Sequence, residues 1–252
     1  MVRRTPESNG LPEKCDGAEG ERASSVTPQN DVDEDPMPAQ VRAMLPVDTA
    51  ATWTAIAPLM PASAYLVGGT ALTVHLQHRV SRDLDFFLER REDLDALWAV
   101  FQSAGQVMAT ERTAKTLNCL FNATRLQVLD ASTQRLIRPT TQVAGVRVAS
   151  VEDIMATKVK VIVNRGELRD YFDLMQIERQ AGYQVESGIA LAISKYQPED
   201  AATFVYTVLK ALGSFSDVAD DPGLPVDREE IEEYWIARQL LVARRLDAFG
   251  GD

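Results

Sequence analysis

The chain has 252 residues, 45% of them hydrophobic, enough for one large domain or two modest ones around a real core. No apolar run approaches the about 20 residues of a membrane-spanning helix, and Met1–Pro6 carries two arginines without the apolar stretch of a secretion signal, so a cytoplasmic address with no membrane partner is expected. Cys15 and Cys119 exclude a disulfide framework, His75 and His78 exclude a multi-histidine metal cage, and a net charge of -11 argues against a general nucleic-acid coat protein.

Residues 1–40 hold nine acids against four bases and almost no large apolar side chains, so they cannot bury enough surface to offset the entropy of ordering. They are expected to form a disordered acidic tail. Val41 to Met60 has helical periodicity, stopped near Pro61. Ala64–Val67 reads as a short buried strand broken by Gly68-Gly69, with a helix from Thr70 to Gln77. A strand over Leu84–Leu88, a helix over Asp93–Ala104 and a strand pair at Leu117–Phe121 and Arg125–Leu129 follow, then a short strand at Val146–Val148.

Ser150 has the place of an N-cap with Asp153 three residues on, a weak capping box, and helical patterns continue at Val151–Val163, Glu167–Ala181, Gly188–Tyr196 and Pro198–Leu212. An acidic linker follows; residues 211–233 hold eight acids against Arg228 alone, and the last helix runs from Arg228 to Phe249. With both acidic segments set aside the remainder is close to neutral, so it tolerates a polyanionic substrate. The expected organisation is α+β: the tail 1–40, a core over 41–150 and a helical C-terminal domain over 151–252.

Two stretches carry chemistry, Leu66-Val67-Gly68-Gly69-Thr70-Ala71-Leu72 and Arg79-Val80-Ser81-Arg82-Asp83-Leu84-Asp85-Phe86-Phe87. Two glycines between strand and helix let backbone approach a phosphate, and the helix N-terminus offers unpaired N–H groups and a positive dipole end, to which Thr70 adds a hydroxyl. Side chains two apart on a strand share a face, so Asp83 and Asp85 point the same way and can grip divalent cations such as Mg²⁺ or Mn²⁺. The bland reading makes the glycines a tight turn and the aspartates a solvated strand edge. Against it, a core strand that opens with two aligned carboxylates needs a counter-charge, which a metal supplies.

Lys158 sits in an otherwise apolar helix with Ile154, Met155, Val159 and Ile162, a candidate phosphate ligand whose competing reading is a stem that snorkels to solvent. Asp170 and Asp173 lie three apart beside Arg169, a spacing that suits a surface salt-bridge cluster equally well. His75 reads as a packed or half-exposed helix residue, and Arg79 either faces a triphosphate or satisfies carbonyls at a helix end.

These stretches, with His78-Arg79-x-Ser81-x-Asp83-Leu84-Asp85-Phe86-Phe87, Ser150–Lys158, Arg165-Gly166 and Arg169-Asp170-x-x-Asp173-Leu174, resemble the AbiEii/AbiGii-type toxins of the DNA polymerase β-like nucleotidyltransferase superfamily over about residues 60–180. The resemblance implies a nucleotidyltransferase-type mixed sheet with flanking helices, with Gly68, Gly69 and Thr70 at the nucleotide phosphates and Asp83 and Asp85 as metal ligands. It further implies Lys158 and Asp170 as active-site residues, with Arg79 and Ser81 as polar contacts nearby.

It implies transfer of a nucleoside monophosphate from an NTP to an acceptor hydroxyl, by a toxin acting on RNA such as the tRNA 3′ end, with an antitoxin protein as partner. The competing functions are nucleotidyl transfer to a small molecule of the antibiotic type, and a degenerate nucleotide-binding module without catalysis. One departure stands out: the third carboxylate of the superfamily aligns with Gln127. Asp130, three residues on, has the opposite strand parity and serves only if the strand bends or bulges; otherwise two carboxylates work with help from Asp170.

Overall fold

The structure, a computed structural model, describes residues 37–164 and 166–249, with side chains through residue 245. The expected tail falls outside the described residues up to position 36. At its C-terminal end the expectation needs correction, because helix α1 (Ala39–Ala43) already begins within it and Met37 packs against the core.

The single helix expected over 41–60 is two, α1 and α2 (Val47–Ile56), with a 3₁₀ turn at Ala57–Leu59. Pro46 disfavours helical backbone at Leu45 and itself takes φ -52°, ψ 150° as the N-cap of α2. Strand β1 (Ala64–Val67) runs directly into α3 (Gly68–Leu76), which opens at the glycine pair. Next come β2 (Leu84–Leu88) and α4 (Leu94–Ala104), whose N-cap Asp93 accepts hydrogen bonds from the backbone of Asp95 and Ala96 at 2.9 and 3.1 Å.

Strands β3 (Val107–Arg112), β4 (Thr116–Phe121) and β5 (Thr124–Asp130) form a meander, and β6 (Thr141–Val143) and β7 (Val146–Val148) a hairpin. The sheet is seven-stranded and mixed in the order β3-β4-β5-β2-β1-β7-β6, with β2 parallel to β5 and β1 parallel to β7. β3 and β6, its two edges, have no alternation of apolar and polar residues to announce them. β3 is exposed beyond Val107 and is held by its backbone ladder to β4.

Helices α5 (Val151–Asn164), α6 (Leu168–Gln176, continued by a π-helical turn at Ile177–Ala181), α7 (Val185–Tyr196), α8 (Ala201–Leu212) and α9 (Arg228–Phe249) follow. α5 packs against α3 on one side and α6, α7 and α8 on others, so one apolar core runs from the sheet into the helices. Trp235 of α9 donates from its indole to the Tyr171 carbonyl of α6 at 2.9 Å, giving a fully buried ring a satisfied N–H.

The capping box at Ser150 forms by half. Ser150 Oγ accepts from the Asp153 backbone at 3.1 Å, but the Asp153 carboxylate turns to Lys195 Nζ (2.8 Å) and to the backbone N–H groups of Ile137 and Arg138 (both 3.0 Å). That buried pair ties α5 and α7 to the segment between β5 and β6. No described helix is long and apolar enough to cross a membrane.

Candidate active site

Gly68 has φ +72°, and a Cβ built on it would overlap Oδ2 of Asp85; one on Gly69 would overlap Nη2 of Arg79. The turn between β1 and α3 is therefore glycine for two reasons: left-handed backbone, and side chains lying against it. Gly182 gives a control, since it shares the backbone strain at φ +74° but has open space around it. Gly182→Ala is expected to cost about 1–2 kcal/mol from backbone alone. Gly68→Ala should cost more and displace Asp85, and equal melting temperatures for the two variants would contradict the close contact.

Thr70 is fully buried, donates its hydroxyl to the Asp83 carbonyl at 2.5 Å and lies 2.8 Å from Ser81 Oγ. This corrects the expectation of a hydroxyl aimed at phosphate: what Thr70 can offer there is its backbone N–H at the start of α3, while its side chain fixes the loop entering β2. Ser81, Arg79, Gly68 and Gly69 all line a cleft of about 1220 Å³, together with Asp83, Asp85, Lys158 and Asp170.

Asp83 directly precedes β2 and is 28% exposed, with Arg169 Nη1 at 3.8 Å from its Oδ2. Asp85 lies within β2, between Val67 of β1 and Gln127 of β5 in the ladder. Two carboxylates facing one cleft are hard oxygen donors, and such a set fits Mg²⁺ or Mn²⁺. No group of three or more His, Cys, Asp or Glu among the described residues is placed to hold a metal. A cation held by this pair would complete its shell with water and substrate phosphates, the usual habit of Mg²⁺.

Asp130 does not supply a third ligand. β5 is paired regularly along its length, which sets Asp130 opposite Leu88 at the far end of β2, where it accepts from the Ser132 backbone at 2.9 Å. Asp170 is engaged by Lys158. The slot beside Asp85 belongs to Gln127.

The spacing of Asp170 and Asp173 suited a surface cluster, but the pair is buried. Asp173 has no exposed side-chain surface and accepts from Arg79 Nε (2.7 Å) and Nη2 (2.9 Å), while His78 Nε2 lies at 2.8 Å and Lys158 Nζ at 2.7 Å. Lys158 also donates to Asp170 Oδ1 at 2.7 Å, so its ammonium is enclosed rather than snorkelling.

Burial opposes ionisation of Asp173, but Lys158 and Arg79 outweigh it and hold the carboxyl well below the usual range; burial likewise lowers the pKa of Lys158, and Asp170 and Asp173 raise it past its ordinary value. His78 stacks on Phe172, and among the described residues its buried Nδ1 has no partner. Sequence reasoning left His78 without a role, since only its contact with Asp173, 95 positions away, assigns one. His75 is half-buried, with Nε2 2.7 Å from the Ala149 carbonyl.

Glu111 and Asn118 are site-lining residues that motif reading missed, because neither belongs to a motif and β3 carries no strand pattern. Gln127 donates to Asn118 Oδ1 at 2.9 Å, and Asn118 donates to Glu111 Oε2 at 2.8 Å, a polar row across three strands beginning beside Asp85.

An uncharacterized protein of Aquifex aeolicus is 28% identical over 174 residues, which cover 68% of this chain and 80% of that protein. The fold is shared with MenT4, a nucleotidyltransferase toxin of Mycobacterium tuberculosis, at a TM-score of 0.52 and 16% identity over 82% of this chain and 86% of that one. JHP933 of Helicobacter pylori aligns at a TM-score of 0.48 and 18% identity, over 85% and 96% of the two chains. The profile of the AbiEii nucleotidyl transferase toxins, of type IV toxin–antitoxin systems, matches residues 54–130 and 121–240, and the chain belongs to that family.

Proposed function

We propose that the protein transfers a nucleoside monophosphate from an NTP to an acceptor hydroxyl on RNA, releasing pyrophosphate, with a divalent cation, Mg²⁺ or Mn²⁺, held by Asp83 and Asp85. The observation that carries this reading is the convergence of those two carboxylates and the Gly68-Gly69 turn on one cleft. A cation bound by Asp83 and Asp85 would supply polarisation of the α-phosphate and favour ionisation of the attacking hydroxyl. The chain's part is positioning: the backbone at Gly68, Gly69 and the start of α3 receives the triphosphate, with Arg79 and Ser81 beside it. Lys158 lines the cleft, and Asp170 fixes its ammonium in place.

An RNA acceptor such as a tRNA 3′ end is favoured over a small molecule by size and charge. The cleft, about 1220 Å³, exceeds the roughly 300–1,000 Å³ of small-ligand pockets. Arg82 and Arg125 stand exposed on its lining, with no carboxylate partner among the described residues, where they can meet a phosphate backbone. Membership of a type IV toxin family supports an antitoxin encoded beside this protein as its partner.

The test is incubation of purified protein with each α-labelled NTP, Mg²⁺ and total RNA. Label on RNA that disappears in Asp85→Asn supports the reading. Label confined to small molecules would transfer the function to the antibiotic-type class, and no label with any NTP would favour a binding module.

A further inference from the structure

Gln127 occupies the position where a third carboxylate is expected, and its amide is not free to choose which end it presents. Its orientation can be deduced along the polar row. A carboxylate only accepts hydrogen bonds, so Asn118 must present its NH₂ to Glu111, at 2.8 Å. The Asn118 carbonyl then faces Gln127, which must answer with its own NH₂, at 2.9 Å. Gln127 Oε1 is thereby turned away from Asn118, and among the described residues it has no donor. The neighbouring strand on that side of β5 is β2, with Asp85 level with Gln127 in the parallel ladder.

The strand carrying Glu111 is built to reach this row. Ala109 pairs with Cys119, and a regular antiparallel register would set Glu111 opposite Leu117, on the face of Ala109. A bulge between Ala109 and Glu111 sets Glu111 opposite Asn118 instead. One extra residue in β3 moves the carboxylate to the cleft face.

We propose that Gln127 Oε1 is the third protein oxygen of the cation site, a neutral ligand in a carboxylate slot, and that Glu111 acts through Asn118 as the positioning residue that keeps this oxygen toward the cation. A carbonyl oxygen suits Mg²⁺ or Mn²⁺, and replacing a carboxylate by an amide leaves the protein site one negative charge poorer. The inference rests on the reading of Asp83 and Asp85 as cation ligands.

The experiment is titration of the full chain with Mn²⁺ alone, followed by loss of the free-ion EPR signal, for the parent and Asp85→Asn, Glu111→Gln, Gln127→Glu and the Glu111→Gln/Gln127→Glu pair. Glu111→Gln frees the amide row to turn over and is expected to weaken Mn²⁺ by about tenfold, the size of effect of losing a ligand's supporting hydrogen bond. In the Gln127→Glu background the same change should cost almost nothing, because a carboxylate has two equivalent oxygens and no orientation to lose.

Equal losses in both backgrounds would mean that Glu111 acts only through its charge, and no loss in either that it does not act at all; each outcome overturns the relay. Glu111 is exposed on an edge strand, so its variant should keep the parent's melting temperature. Asp85→Asn separates the two levels. If it leaves Mn²⁺ affinity unchanged, the cation reading itself fails; if it abolishes binding while the cycle shows no coupling, only the relay falls.

Discussion

Asp85→Asn should abolish nucleotide transfer, by about 10³-fold or more, while the protein remains as stable as the parent in the absence of cations. A factor of 10³ is about 4 kcal/mol of transition-state stabilisation, the scale of removing one preorganised charge from a reacting phosphate. Stability should not follow activity, because Asn has the shape of Asp and keeps its place against Gly68. Thermal melts with and without Mg²⁺ and a non-hydrolysable NTP check this directly. The parent should gain stability from the ligand by mass action and the variant should not. An Asp85→Asn protein that melts as the parent does and transfers at the parent rate would remove the cation from Asp85.

Asp173→Ala is expected to have the opposite signature, a large loss of stability, because Asp173 lies behind the cleft rather than in it. The carboxylate has no exposed surface and balances Arg79 and Lys158 together, with His78 against the same oxygen as Arg79 Nε. Removing one partner from a buried charge network costs about 3–5 kcal/mol, which for a chain of this size lowers the melting temperature by roughly 6–20 °C. Lys158 would keep Asp170, but Arg79 would be left nine-tenths buried with no carboxylate, in the space that Gly69 leaves by lacking a Cβ.

The pH dependence has a definite sign. A carboxyl whose folded pKa is depressed gives stability that is present above its unfolded value, about 3.9, and is lost as pH falls through the lower folded value. Lys158, whose folded pKa is raised, gives stability that is complete below about 10.4 and is lost only as pH rises past its folded value. The parent's advantage over Asp173→Ala should therefore be flat from about pH 5 to 9, shrinking below about pH 4 and again as pH rises past the ordinary lysine value of about 10.4. An advantage that shrank near neutrality would contradict the assignment to Asp173.

The sequence by itself determined the elements whose residues repeat with the period of the structure they form. β4 alternates into the core, α4 begins at its N-cap Asp93 and α9 runs between the expected ends, because burial and capping are local demands visible in a few consecutive residues. Asp83, Asp85 and the two glycines were legible for the same reason: one strand-turn-helix-strand unit brings them to the cleft. Elements held by their neighbours left no such trace. β3 exists because β4 offers it a backbone ladder, and the break before α2 follows from the conformation that Pro46 imposes on Leu45. Only the tertiary structure decided that Asp173 is the buried hub for His78, Arg79 and Lys158, since His78 and Arg79 lie 95 and 94 positions from it in the chain. It also decided that Thr70 points behind the turn, that Asp130 sits at the wrong end of β5, and that Glu111 reaches the cleft through a bulge. Periodicity fixes the face a side chain leaves from; which groups meet it there depends on register and on strands and helices distant in sequence.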